Sequence, residues 1–174
     1  MEGQNPKHVS HFRKKKLVAV IAVLGIVLIL VVVGAWLYGQ KSASPVPKNI
    51  KNAVSFPIYY PDQKKLPAGY ILDTKSFANP VKNGVSYAVN YGNGQKLIFS
   101  VQPKPSDNEL QSFYGNYIPL RIDIQIPNGQ AEIGTYHNQT LVSLPVINGP
   151  WIIITGPQNT NQSQLKQVLS ALRK

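Results

Sequence analysis

Ser106-Asp107-Asn108 and Ser163-Gln164-Leu165-Lys166 are the two stretches of this chain whose residue types could form and break an acyl bond. An S-x-x-K step sets a serine hydroxyl one helical turn from a lysine amine able to take its proton. S-D-N is its companion in penicillin-binding enzymes, which also need K-T-G, in the order S-x-x-K, S-D-N, K-T-G. Here S-D-N comes first, and the nearest approach to K-T-G is Ile154-Thr155-Gly156. Helix starts explain both stretches better. Ser106 with Glu109 three residues on is a capping box. Ser163 and Lys166 fall in the first turns of an amphipathic helix whose inner side is Leu165 and Leu169, which leaves Lys166 on the flank.

Other chemistry is sparse. The chain has no cysteine, which excludes a disulfide framework, a thiolate metal site, a cysteine nucleophile and a cysteine-linked lipid anchor. His137 is the one histidine beyond residue 40, so no two-histidine metal pair exists there. Asp123 and Glu132 flank the Asn128-Gly129 turn and could meet across a hairpin, where two close carboxylates can share a proton. The plainer expectation is a solvated strand face carrying Lys or Arg opposite them. No G-x-G-x-x-G and no P-loop occurs. Aromatic residues interleaved with a net charge of +7 over residues 41–174 suggest single-strand nucleic-acid binding, but the basic residues are scattered. The expectation is therefore no nucleic acid, no metal, no cofactor and no enzyme activity, with the aromatics in the core and in strand pairs.

The elements that would position these residues begin with a membrane segment. Residues 17–38, LVAVIAVLGIVLILVVVGAWLY, carry no charge over 22 positions. As a helix, at about 1.5 Å per residue, such a run matches a bilayer's hydrocarbon core. Arg13, Lys14, Lys15 and Lys16 abut its near end and assign residues 1–16 to the cytoplasm by the positive-inside rule. Trp36 and Tyr38 suit the headgroup level at its far end. The apolar run is longer than that of a cleaved signal peptide, so it reads as a retained single-pass anchor. Residues 39–52, with Pro45 and Pro47, read as an extended linker, and 53–174 as an extracytoplasmic domain.

In that domain Asn-Gly recurs at 83–84, 93–94, 128–129 and 148–149, the strongest short hairpin signal. VSYAVNY (85–91) and LRIDIQI (120–126) alternate as strands do; LIFSV (97–101), WIIIT (151–155) and ILDTKSF (71–77) are further candidates. Leu110 and Phe113 would face inward after the Ser106 cap. Leu165, Val168, Leu169 and Leu172 follow helical spacing after an Asn161 or Asn159 cap. The expectation is an α+β fold: an antiparallel, curved sheet of six or seven strands, with one or two short helices on one face.

Phe56-Pro57-Ile58-Tyr59-Tyr60-Pro61, then Leu66-Pro67-Ala68-Gly69-Tyr70, resembles the opening of small bacterial membrane-anchored envelope ectodomains of unknown function. The Tyr91-Gly92-Asn93-Gly94 strand end, the Trp151 strand and the closing helix to Leu172 extend the likeness over most of 54–173. More distantly it is similar to the half-barrels of lipoprotein carriers and anti-sigma regulators. The resemblance implies an envelope domain and, through its more distant part, a carrier of a lipid-like ligand on a concave sheet. With the membrane segment and a net charge of +7 over residues 41–174, the first expectation is a tethered binding domain at the cell membrane whose partner is an envelope protein or anionic polymer. Pro145 and Pro150, just before Trp151, suggest that the sheet is interrupted there.

Overall fold

Three of the four Asn-Gly pairs fall in connections between successive antiparallel strands, and in the fourth Asn128 ends the turn while Gly129 opens the next strand. Asn83, Asn93 and Asn148 take positive φ, at 58°, 47° and 51°, the conformation such turns demand. A fifth connection uses His137 and Asn138, both at positive φ (45° and 58°), without a glycine. The computed structural model describes residues 44–174. The apolar run 17–38 and the topology residues Arg13, Lys14, Lys15, Lys16, Trp36 and Tyr38 lie outside the described residues. Among the described residues no helix is long and apolar enough to cross a membrane.

The chain runs through α1 (Lys48–Asn52), β1 (Tyr60–Pro61), a 3-10 turn (Gln63–Lys65), β2 (Tyr70–Ala78), β3 (Val85–Tyr91) and β4 (Gln95–Gln102). It continues with α2 (Asp107–Tyr117), β5 (Arg121–Ile126), β6 (Gly129–Tyr136), β7 (Gln139–Pro145) and β8 (Trp151–Pro157), and closes with α3 (Gln162–Ser170) and β9 (Leu172–Arg173). Seven strands form one antiparallel, curved sheet in the order β2-β3-β4-β8-β7-β6-β5. Two meanders, β2–β4 and β5–β8, therefore meet at the β4–β8 pair, and α2 carries the chain from the middle of the sheet to its far edge. β1 and β9 pair separately, Tyr60 with Arg173 and Pro61 with Leu172.

Alternation along the strands divides the apolar residues between two faces. One face presents Val85, Tyr87, Phe99, Leu144, Ile152 and Ile154, and on it pack Leu165, Val168 and Leu169 of α3. Tyr87 stacks on its cross-strand partner Phe99 at 4.7 Å, and its hydroxyl donates to the Tyr59 carbonyl at 2.8 Å. The other face presents Leu141, Trp151 and Ile153, and on it pack Leu110, Tyr114 and Ile118. The two main helices thus lie on opposite faces, not together on one. The reason is the crossover: α2 spans the side opposite the one that α3 later closes.

Three further expectations need correction. Val46 and Ile50 are buried in the larger core, and the compact unit starts at Pro45, so residues 45–52 belong to the fold and not to a linker. Pro145 and Pro150 do not interrupt the sheet. β7 is an interior strand that ends at Pro145, and Pro150 directly precedes β8, positions where a missing N–H costs little. Leu172 does not extend the closing helix; it leaves α3 and pairs with Pro61.

Candidate functional site

The two acyl-transfer motifs are helix starts. Ser106 Oγ accepts from the Glu109 amide at 3.4 Å, and Glu109 Oε2 accepts from the Ser106 amide at 2.7 Å. The Ser106 hydroxyl also donates to Glu109 Oε2, at 2.7 Å, and this bond first and the one from the Ser106 amide second hold the Glu109 carboxyl below its ordinary range. Asn161 Oδ1 accepts from the amides of Ser163 and Gln164 at 2.9 and 3.1 Å and so caps α3. Ser163 and Lys166 are both exposed, and among the described residues no hydrogen bond joins them. A serine without a base in reach gains no nucleophilicity. His137 is a turn residue whose ring meets Tyr136 edge-on at 4.1 Å.

Asp123 and Glu132 do meet. They are directly opposite in the β5–β6 register, and the row continues to Ser143 on β7. Gln130 Nε2 donates to Asp123 Oδ2 at 2.9 Å and to Glu132 Oε1 at 3.3 Å. Arg121 Nε donates to Glu132 Oε2 at 3.0 Å, and the Arg121 guanidinium lies 4.7 Å from the centre of the Tyr114 ring. The Glu132 side chain is only 12% exposed. Burial pushes its carboxyl up, the hydrogen bond and negative charge of Asp123 push it further, and Arg121 pulls it back. Below this row Trp151 Nε1 donates to Ser143 Oγ at 2.8 Å, which lies 3.5 Å from the Tyr114 hydroxyl.

This cluster has the parts of an acid–base pair without the setting of one. Geometry must bring a substrate to the carboxylates. Asp123 and Glu132 line neither the groove beside Leu120 and Ile122 nor the one beside Ile71 and Tyr91. Their partners are a guanidinium and an amide of the same hairpin, the arrangement of a cross-strand charge network that fixes α2 over β6 and β7. Among the described residues no three His, Asp or Glu side chains gather as a metal ion would require.

Of the eight large apolar side chains exposed among the described residues, four gather at the β5 edge beside this network; Ile71, Val81, Ile98 and Ile147 are exposed elsewhere. Leu120 is 90% exposed and Ile122 45%. Tyr117 and Tyr136, also exposed, meet edge-on at 5.0 Å, and Phe113 continues the ring chain inward to Trp151 at 4.8 Å. Gly134 makes the approach possible: a Cβ there would stand 2.7 Å from the Ile118 side chain and 3.1 Å from the Leu120 carbonyl. Leu120, Ile122 and Ile133 form one wall of a shallow groove of about 200 Å³, closed on its other side by Gln158, Thr160 and Gln162. Two of the groove's three hydroxyls, those of Thr140 and Thr160, donate to the Pro157 carbonyl. Sequence reasoning found the β5 strand but not the rim, because Leu120 reads as a strand residue with a buried face. No protein family, curated protein or solved structure matches the chain.

Proposed function

We propose that this chain is a single-pass, membrane-tethered binding domain of a bacterial cell envelope, with residues 1–16 cytoplasmic and the folded unit outside, and that it works by association and not by catalysis. The uncharged run 17–38, preceded by Arg13, Lys14, Lys15 and Lys16, supports the tether. The observation that carries the binding reading is the exposed rim of Tyr117, Leu120, Ile122 and Tyr136 on a fold whose two cores are already filled. Apolar and aromatic side chains held in the open by rigid strands are what a protein partner covers.

Charge favours a protein over an anionic polymer at this rim. Asp107, Glu109, Asp123 and Glu132, four of the six acids among the described residues, belong to α2 and the β5–β6 hairpin, against Arg121 alone. The lipid-carrier reading loses support, since Tyr87, Phe99, Ile152 and Ile154 fill the sheet face under α3.

The test is photo-crosslinking of the full-length protein in native membranes, with a photoreactive residue at Leu120 or, on the opposite sheet edge, at Lys75. Discrete protein adducts from position 120 and none from 75, with the folded unit open to protease only from outside the cell, are the expected result. Equal labelling from both positions, or a protected C-terminal domain, would overturn the proposal.

A further inference from the structure

We infer that the partner covering this rim is a second copy of the chain, which lays its own β5 antiparallel against the free edge of β5. The inference deepens the binding-domain reading and rests on it. It starts from a difference between the two ends of the sheet. At the β2 edge, Gln63 Oε1 accepts from the Leu72 amide at 2.8 Å and its Nε2 donates to the Tyr70 carbonyl at 2.9 Å. That side chain imitates a neighbouring strand, and a register shift between Asp73 and Ala78 distorts the edge further on. Both are recognised means of closing an edge against pairing. β5 has neither. Its pairing with β6 is regular over all six residues, and among the described residues nothing outside β6 bonds to its main chain.

The register can be worked out. The two-residue turn Pro127-Asn128 makes Ile126 and Gly129 a hydrogen-bonded pair, so Ile126, Ile124 and Ile122 direct their main-chain groups toward β6. Arg121, Asp123 and Gln125 therefore direct theirs outward. Two β5 strands that keep their charged rows on one face can be centred on Ile122, Asp123 or Ile124. Centring on Asp123 sets two carboxylates directly opposite each other, which is repulsive. Centring on Ile124 sets Asp123 against the partner's Gln125 and Arg121 against the partner's Pro127, so neither charge meets its opposite.

Centring on Ile122 pairs each charge with its opposite; its misfit, at each end, is Pro119, without an N–H, opposite the partner's Gln125. Ile122 meets the partner's Ile122 on the twofold axis. Arg121 faces the partner's Asp123, and by symmetry Asp123 faces the partner's Arg121. Leu120, the most exposed apolar side chain of the rim, faces the partner's Ile124. Two ion pairs and three apolar pairs form without a like-charge contact, and two seven-stranded sheets become one. The paired strands are short, so the association is weak between free molecules. Confinement of both tethers to one membrane raises the effective concentration that a weak edge needs.

The chain's lack of cysteine makes the test clean. In this register residue 122 occupies a non-hydrogen-bonded pair, whose Cα atoms lie about 4.5 Å apart, within disulfide reach. Full-length Ile122→Cys in membranes, mildly oxidised, is expected to run as a disulfide dimer, well ahead of Ile124→Cys and of Ile71→Cys on the opposite edge. Adding Asp123→Arg should cut dimer yield about tenfold through loss of both ion pairs and new Arg–Arg contacts. It should not lower thermal stability, because position 123 would then place an arginine opposite Glu132. Adding Arg121→Asp to Asp123→Arg should restore the dimer by swapping the charges. Equal crosslinking of Ile71→Cys, or a dimer indifferent to Asp123→Arg, overturns the inference. Adducts from Leu120 to a different protein with no Ile122→Cys dimer overturn self-pairing alone; neither adduct nor dimer overturns the binding reading as well.

Discussion

Glu132 is where single residues oppose one another. Its carboxyl is buried beside Asp123, and among the described residues only Arg121 supplies a positive charge to it. In the folded chain it holds its proton to higher pH than in the unfolded chain. Between those two pKa values the folded state binds more protons, so stability falls as pH rises through the window above the ordinary glutamate value. Glu132→Gln keeps an acceptor for Arg121 and removes the like charge beside Asp123. Its expected stability in urea is equal to or above that of the parent at neutral pH, with the difference closing in acid, where the parent's Glu132 is already protonated. Arg121→Ala should do the reverse and cost about 1–2 kcal/mol at neutral pH, the worth of one ion pair and one partly exposed cation–π contact. That cost should shrink in acid; a penalty independent of pH would mean that Arg121 acts through packing on Tyr114 alone.

Among the elements the two sheet edges differ most, and Gln63 makes the difference at β2. Gln63→Ala leaves the Leu72 amide and the Tyr70 carbonyl to water. The expected cost is about 1 kcal/mol, the net worth of such bonds, with faster hydrogen exchange at the Leu72 amide. Unchanged exchange at Leu72 would show that the edge is closed by something else. These edge devices were illegible in the sequence because Gln63 lies in a Pro/Lys-rich loop and acts through its amide, which no periodicity records. The strands themselves were legible where alternation is strong, as in Val85–Tyr91, and the Ser106–Glu109 box located α2. β6 and β7 were harder to see: Gly134 interrupts one, and a His137-Asn138 turn in place of Asn-Gly separates them. The Asp123–Glu132 meeting was legible as a hairpin possibility. Arg121 and Gln130 completed it only once the register was fixed.

On the scale of the whole molecule, the sheet holds two cores of unequal size, one on each face. The larger gathers Phe99, Tyr87 and Ile154 under α3; the smaller holds Leu110, Tyr114 and Ile118 of α2 and its exit against Leu141 and Trp151. Opposite faces share backbone but not side chains, so the layers should open at different free energies. Phe99→Ala removes a wholly buried ring from the interior strand β4 and should cost about 3–5 kcal/mol, with protection falling across every strand. Leu110→Ala should cost about 2–3 kcal/mol at most sites of α2, while amides of β3 and β4 keep their protection. Native-state hydrogen exchange on both variants separates the outcomes: equal losses in β3 and α2 for Leu110→Ala would make the molecule one cooperative unit. The smaller layer also governs the rim, since Ile118 seats against Gly134 and the chain passes from there through Leu120 into β5. Leu110→Ala should therefore reduce the Ile122→Cys dimer even while the larger core stays folded. An undiminished dimer would mean that β6 alone holds the edge in place.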